Sequence, residues 1–248
     1  MSDNDSHSGW TDDDNSTGWD TIPRVPKNPS LSHPQPDPEL LKTYYTIYAG
    51  LLNGSSSRHA LPLELVRIIC QLAGFENWHA TRAPKGRKSV RTWEDKVKSR
   101  VWFQTEPFTK QTLNHIKSAQ LVTISRHQGW VDFRNAGSWS WFELQVARPT
   151  EQDTGFAKVK RRPSGDRASW RCLEHPVDAE TAKLQEDFGE HEGDLLGSDH
   201  EIWGYVEEGD VLQVVMKAQQ RAWSNTVTDG ILKVNTWWEP SLEMLKLM

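Results

Sequence analysis

Apolar and polar positions alternate most clearly between Leu121 and Val146. Leu121-Val122-Thr123-Ile124 is a short, β-branched run, and Arg126-His127-Gln128-Gly129 interrupts it with a glycine suited to a turn. After Gly137, Phe142, Leu144 and Val146 fall on one face of a strand and Trp139, Trp141, Glu143 and Gln145 on the other, because successive side chains point to opposite sides. A second β block closes the chain. Glu208-Gly209-Asp210 reads as a turn, Leu212, Val214, Met216 and Ala218 form an apolar face, and Leu232, Val234, Thr236 and Trp238 share one side of a last strand. Pairing of these late strands with Trp139–Val146 predicts a mainly β protein, an antiparallel β-sandwich or jelly roll.

Upstream the period changes to that of a helix. Asp37-Pro38 supplies an N-cap oxygen and a first-turn proline, Leu41, Tyr44, Tyr45, Tyr48, Leu51 and Leu52 recur at helical spacing, and Gly54 ends the run. A second helix follows from Leu61, with Pro62 at its start, Leu65, Ile68, Ile69 and Leu72 as its apolar stripe, and Gly74 past its end. Thr109 to Ala119 can hold a turn of helix, Thr150 to Trp170 is a polar insertion, and Ala179 to Phe188 predicts a brief helix. The expected division is a tail over 1–37, a helical segment over 38–80, a basic linker over 81–100 and a Trp-rich sandwich over 101–240.

Charge changes the picture at three places. The tail carries seven aspartates against Arg24 and Lys27, which accounts for the whole formal charge of −5, so overall acidity says nothing about a partner of the folded part. Its proline-rich, polar composition predicts disorder, and Trp10 and Trp19 lie there in a near-repeat. Arg82 to Arg100 holds eight basic residues against Glu94 and Asp95, and Lys158-Val159-Lys160-Arg161-Arg162-Pro163 has the look of a nuclear-import signal. Without a nucleic-acid motif, both read as solvated loops balanced by the acidic stretch Glu174–Asp210, and nucleic acid is not the expected partner. No basic start precedes an apolar run, so an intracellular protein, cytoplasmic or nuclear and without a membrane anchor, is expected.

Chemistry is sparse. Cys70 and Cys172 make no disulfide framework, and Cys172 near His175 is the one thought of a thiol nucleophile. No Gly-x-Ser-x-Gly, phosphate-cradling loop or His-Glu-x-x-His is present, so no catalytic residues are assigned and a non-enzyme is expected. His191-Glu192-Gly193-Asp194 and Asp199-His200-Glu201 contain metal-ligand types at no recognised spacing and read as an acidic loop, so neither metal nor cofactor is expected. The sharpest candidate ligand-binding set is Arg126, His127, Gln128, Trp130, Trp139, Trp141, Glu143, Trp223 and Asn225. It offers flat faces and hydrogen-bonding groups of the kind a sugar or peptide uses; the alternative is a second core layer with Arg126 and Glu143 as an ion pair.

Two resemblances add to this. Leu61 to Leu72 resembles the opening of an F-box, in which a Leu-Pro-x-Glu-Leu helix start precedes an Ile/Leu stripe; Leu61, Pro62, Leu65, Ile68 and Leu72 would then dock a ubiquitin-ligase scaffold. The Val-Cys-x-x-Trp signature that follows in that family has no match in Glu76–Arg100. Ser125–Trp130, Ser138–Glu143, Glu208–Leu212 and Trp223–Asn225 resemble a pattern in fungal proteins of unknown role, with His127 in place of an Asp and Ala222 in place of a Gly. That resemblance implies a galactose-binding-like jelly roll, some members carrying an F-box-like helix upstream. The expected function is non-catalytic recognition of a protein or glycan by the sandwich; an F-box-type adaptor is the alternative and an enzyme of unknown reaction the third.

Overall fold

The computed structural model describes residues 37–128, 137–150, 155–176 and 188–246. The expected acidic tail before Asp37, all but Phe188 of the helix expected over Ala179–Phe188, and the candidate Trp130 lie outside the described residues.

Local chemistry builds the helical part as the sequence predicts. In α1 (Pro38–Asn53) the Asp37 carboxylate accepts the Glu39 N–H at 3.1 Å, and the chain leaves the helix at Gly54 with φ 73°. A Cβ there would meet the Ala60 nitrogen at 2.6 Å, so the reversal needs glycine on both counts. The chain returns, Leu61 N–H donating to the Leu51 carbonyl at 3.1 Å, and enters α2 (Leu63–Leu72) behind Pro62. The two helices close over Tyr48, Val66, Cys70, Phe75 and Trp238. Tyr44 stacks on Phe75 at 4.1 Å and meets Trp238 edge-on at 5.6 Å. Because Trp238 directly follows the last strand, this aromatic knot ties the helices to the sheets.

Those sheets form an antiparallel β-sandwich. β1 (Glu76–Arg82), β2 (Lys88–Arg91) and β3 (Lys98–Gln104) come first, then α3 (Lys110–Asn114), β4 (Ile116–Arg126) and β5 (Ser140–Arg148). β6 (Lys158–Val159), β7 (Ser169–Glu174), β8 (Gly189–Glu192), β9 (Leu196–Gly197), β10 (Val211–Ala218), β11 (Ser224–Trp237) and α4 (Leu242–Lys246) complete the chain. One sheet runs β1-β11-β4-β8, with β2 also on β11 and β9 on β4; the other runs β3-β10-β5-β6, with β7 on β5. The expected pairing of β10 with β5 is present, Leu212 opposite Val146, Val214 opposite Leu144 and Met216 opposite Phe142. The last strand differs from expectation: β11 belongs to the opposite sheet, where it pairs with β4 on one side and with β1 and β2 on the other. The segment 81–100 is not a linker either, since it completes β1 and supplies β2 and the start of β3.

The core is the interior between the sheets, where Leu121, Phe142, Leu144, Val146, Leu212, Val214, Met216 and Leu232 are fully buried. Gly230 lets the sheets close: a Cβ at that position would overlap the Trp102 indole. Asp210, itself buried, accepts from Arg148 and, at 2.9 Å, from Lys160. Burial alone would raise this carboxyl, but those bonds and one from the Glu207 N–H hold it below its ordinary value. The basic run at 158–163 is thereby part of the fold: Lys160 serves Asp210, and Arg162 lies over Trp170 at 4.3 Å. Among the described residues no helix is long and apolar enough to cross a membrane.

Candidate partner-binding surface

The predicted ligand-binding set is brought together in part and is largely covered, with Trp141 and Glu143 on the outer side of β5, opposite the Phe142 and Leu144 side. Trp141 is 4% exposed; its indole N–H donates to Glu143 at 2.8 Å and the Arg171 guanidinium covers its ring at 4.5 Å. Glu143 accepts from Ser169 and pairs with Lys217 at 2.7 Å, so its ion pair is with Lys217. Burial pushes this carboxyl up, but bonds from Lys217, Ser169 and Trp141 outweigh it and leave it below its ordinary value. Asn225 is fully buried and donates to the Trp141 carbonyl at 2.9 Å, stitching the two sheets. Trp223 is buried too, its ring 5.8 Å from that of buried His127. Arg126 ends β4 with its guanidinium over Phe188 at 4.8 Å, while Gln128 and Trp139 are half-buried. Trp141, Trp223, Glu143 and Asn225 therefore frame the sandwich, and little of their surface is left to touch a ligand.

A feature that pattern reading missed sits behind them. His175 is buried between the sheets, with Nδ1 2.7 Å from Ser140 Oγ and Nε2 2.9 Å from Ser125 Oγ, and Ser125 Oγ is 2.7 Å from Thr123 Oγ1. The rings of His191 and His127 lie 5.2 and 6.1 Å away. Burial first, then the neighbouring His191 and His127, hold the His175 imidazole neutral, well below its ordinary pKa. The available signal was Thr123 and Ser125 continuing the inward face of Leu121, two polar positions that need a buried partner.

The other chemical candidates resolve into structure. His191 and Glu192 belong to β8, and His200 Nδ1 accepts the Ile202 N–H at 3.2 Å. Among the described residues no three His, Cys, Asp or Glu side chains are grouped to hold a metal. Cys172 is buried with its thiol toward the Phe142 carbonyl at 3.6 Å, and burial pushes its pKa up, so it stays a neutral thiol.

The α2 helix is the exception to this inward economy. Val66 and Cys70 carry its packing, at 0% and 3% exposure. The apolar stripe lies on the opposite side in water: Leu65 is 48% exposed, Ile68 50%, Ile69 39% and Leu72 84%. At the helix start Leu63 and Pro62 are exposed and Leu61 is half-buried. These spacings of three and four residues make one continuous helical face. Burying one such side chain stabilises a fold or a complex by about 1.5–3 kcal/mol, so this stripe is a face with much to gain from a cover. A scan against protein-family models finds no match, and a search of curated proteins finds no relative.

Proposed function

We propose that this protein is a non-catalytic recognition module that docks a protein partner through the exposed face of α2. The observation that carries the reading is the stripe Leu65, Ile68, Ile69 and Leu72, exposed while the other side of the same helix is packed. An apolar helical face of this kind fits a groove on a partner, with anchors three and four residues apart. Since these residues lie in the segment resembling an F-box opening, the partner we propose is a ubiquitin-ligase scaffold, which makes the protein an adaptor. The sandwich is then the rigid body held by the scaffold, its tryptophans serving as frame.

The test mixes purified chain with the scaffold protein and follows the complex by size-exclusion chromatography. Leu65→Asp/Ile68→Asp replaces two side chains already in water, so its circular dichroism should match the wild type. A wild-type complex that the folded double variant cannot form supports the adaptor. Absence of a wild-type complex removes the scaffold as partner, and a complex indifferent to the substitutions removes α2 as the surface.

A further inference from the structure

Another set of side chains converges on a concavity beside the helices. β1, α3, the end of β11 and α4 line a cleft of about 280 Å³. A second cleft of about 240 Å³ shares His79 and Thr112 with it, so the two are neighbours along β1. Together they reach the size of a small-molecule site. The register places Asn77, His79 and Thr81 on the same side of β1 as Thr236, Val234 and Leu232 of β11. On β11 that side is core, yet on β1 it is polar throughout, because it faces the clefts.

The lining has a definite chemistry. The side chains of Asn77, His79 and Gln111 form no hydrogen bond with any described residue, whereas His115 is committed to Glu239 at 2.9 Å and to the Gln111 carbonyl at 2.8 Å. His79 is exposed at the cleft, and partial desolvation lowers its pKa, so at neutral pH its ring is a donor and acceptor without charge. Glu106 contributes a carboxylate, Glu239 contributes one that is already paired with Arg67 at 3.0 Å and with His115, and neither cleft is lined by lysine or arginine. Such walls disfavour anions. Two carboxamides and a neutral imidazole match a ligand that presents several adjacent hydroxyls, and half-buried Trp237 adds apolar surface for its C–H face. We propose that this paired cleft binds a neutral carbohydrate, with Asn77, His79 and Gln111 as its hydrogen-bonding contacts. The site is separate from the docking stripe of α2 and does not depend on it.

The test is saturation-transfer NMR on the full chain with D-glucose, D-galactose, D-mannose and N-acetylglucosamine, and glucose 6-phosphate as the anionic control. Saturation should reach at least one neutral sugar and not the phosphate. Gln111 is exposed on α3, so Gln111→Ala should keep the fold; it should weaken that sugar's binding about tenfold, the scale of one lost hydrogen bond. Asn77→Ala should do the same. No transfer to any neutral sugar, equal transfer to the phosphate, or binding unchanged in a folded Gln111→Ala would each overturn the proposal. The Leu65→Asp/Ile68→Asp variant should bind sugar as the wild type does, which keeps the two proposals distinguishable.

Discussion

The sandwich and α2 treat the same kind of pattern in opposite ways. In β10 the alternating set Leu212, Val214 and Met216 is entirely inside, and the intervening Gln213 and Val215 are buried too. In α2 the residues that look most like a core stripe are outside, and the fold is held through Val66 and Cys70. Amphipathic pattern thus marks a face that will be covered by something. It does not say whether the cover comes from the same chain.

The largest break in that comparison should come from the interior. Phe142→Ala empties a fully buried position and should cost about 3–5 kcal/mol, measured by urea unfolding. Asp210→Asn leaves Arg148 and Lys160 without their carboxylate and should cost about 2 kcal/mol by the same measurement, the scale of hydrogen bonds to a charged group.

Acid should act on the interior in two windows. His175 and His191 have pKa values lowered by burial. Below the ordinary histidine value of 6.5 the unfolded chain takes up protons that the folded chain refuses, so stability is full above that pH and falls as pH drops, by about 1.4 kcal/mol per unit for fully buried His175 and by less for partly exposed His191, until the folded value of each is passed. Asp210 and Glu143, also lowered, contribute stability that is present above their ordinary values and lost only as pH falls further, through their folded values. Unfolding midpoints between pH 7 and 5 check the first window, and His175→Leu should flatten it while lowering stability at pH 7. A profile unchanged by that substitution would assign the slope to other groups.

The smallest stability effect should come from α2. Leu65→Ala should shift the unfolding free energy by no more than about 0.5 kcal/mol, as surface positions do. A large loss would mean that the stripe packs within the chain and would dissolve the contrast with β10.

Much of the architecture was legible. Helix caps at Asp37-Pro38 and Gly54, and the alternation of β5 and β10, are local properties, and they appear where the sequence places them. β2 was not legible, because Lys-Ser-Val-Arg at a sheet edge buries only Val90 and shows no alternating pattern. The candidate site was legible as a set of neighbours, since Asn225, Trp141 and Glu143 do meet, and its burial was the alternative the sequence offered, but with Lys217 rather than Arg126 as the partner of Glu143. Nothing along the chain says that Arg171 and Lys217 will lie against the Trp141 and Glu143 side of β5. Nor does it show that Ser125 and Ser140 will meet His175 from 50 and 35 residues away.

The sequence by itself determined periods, caps and turns, because these depend on backbone geometry and on neighbours within a few residues. The tertiary structure alone decided which sheet received β11, which side of α2 was packed and which histidines lost water. Those outcomes depend on contacts between distant segments, where one face can be covered only by leaving another open.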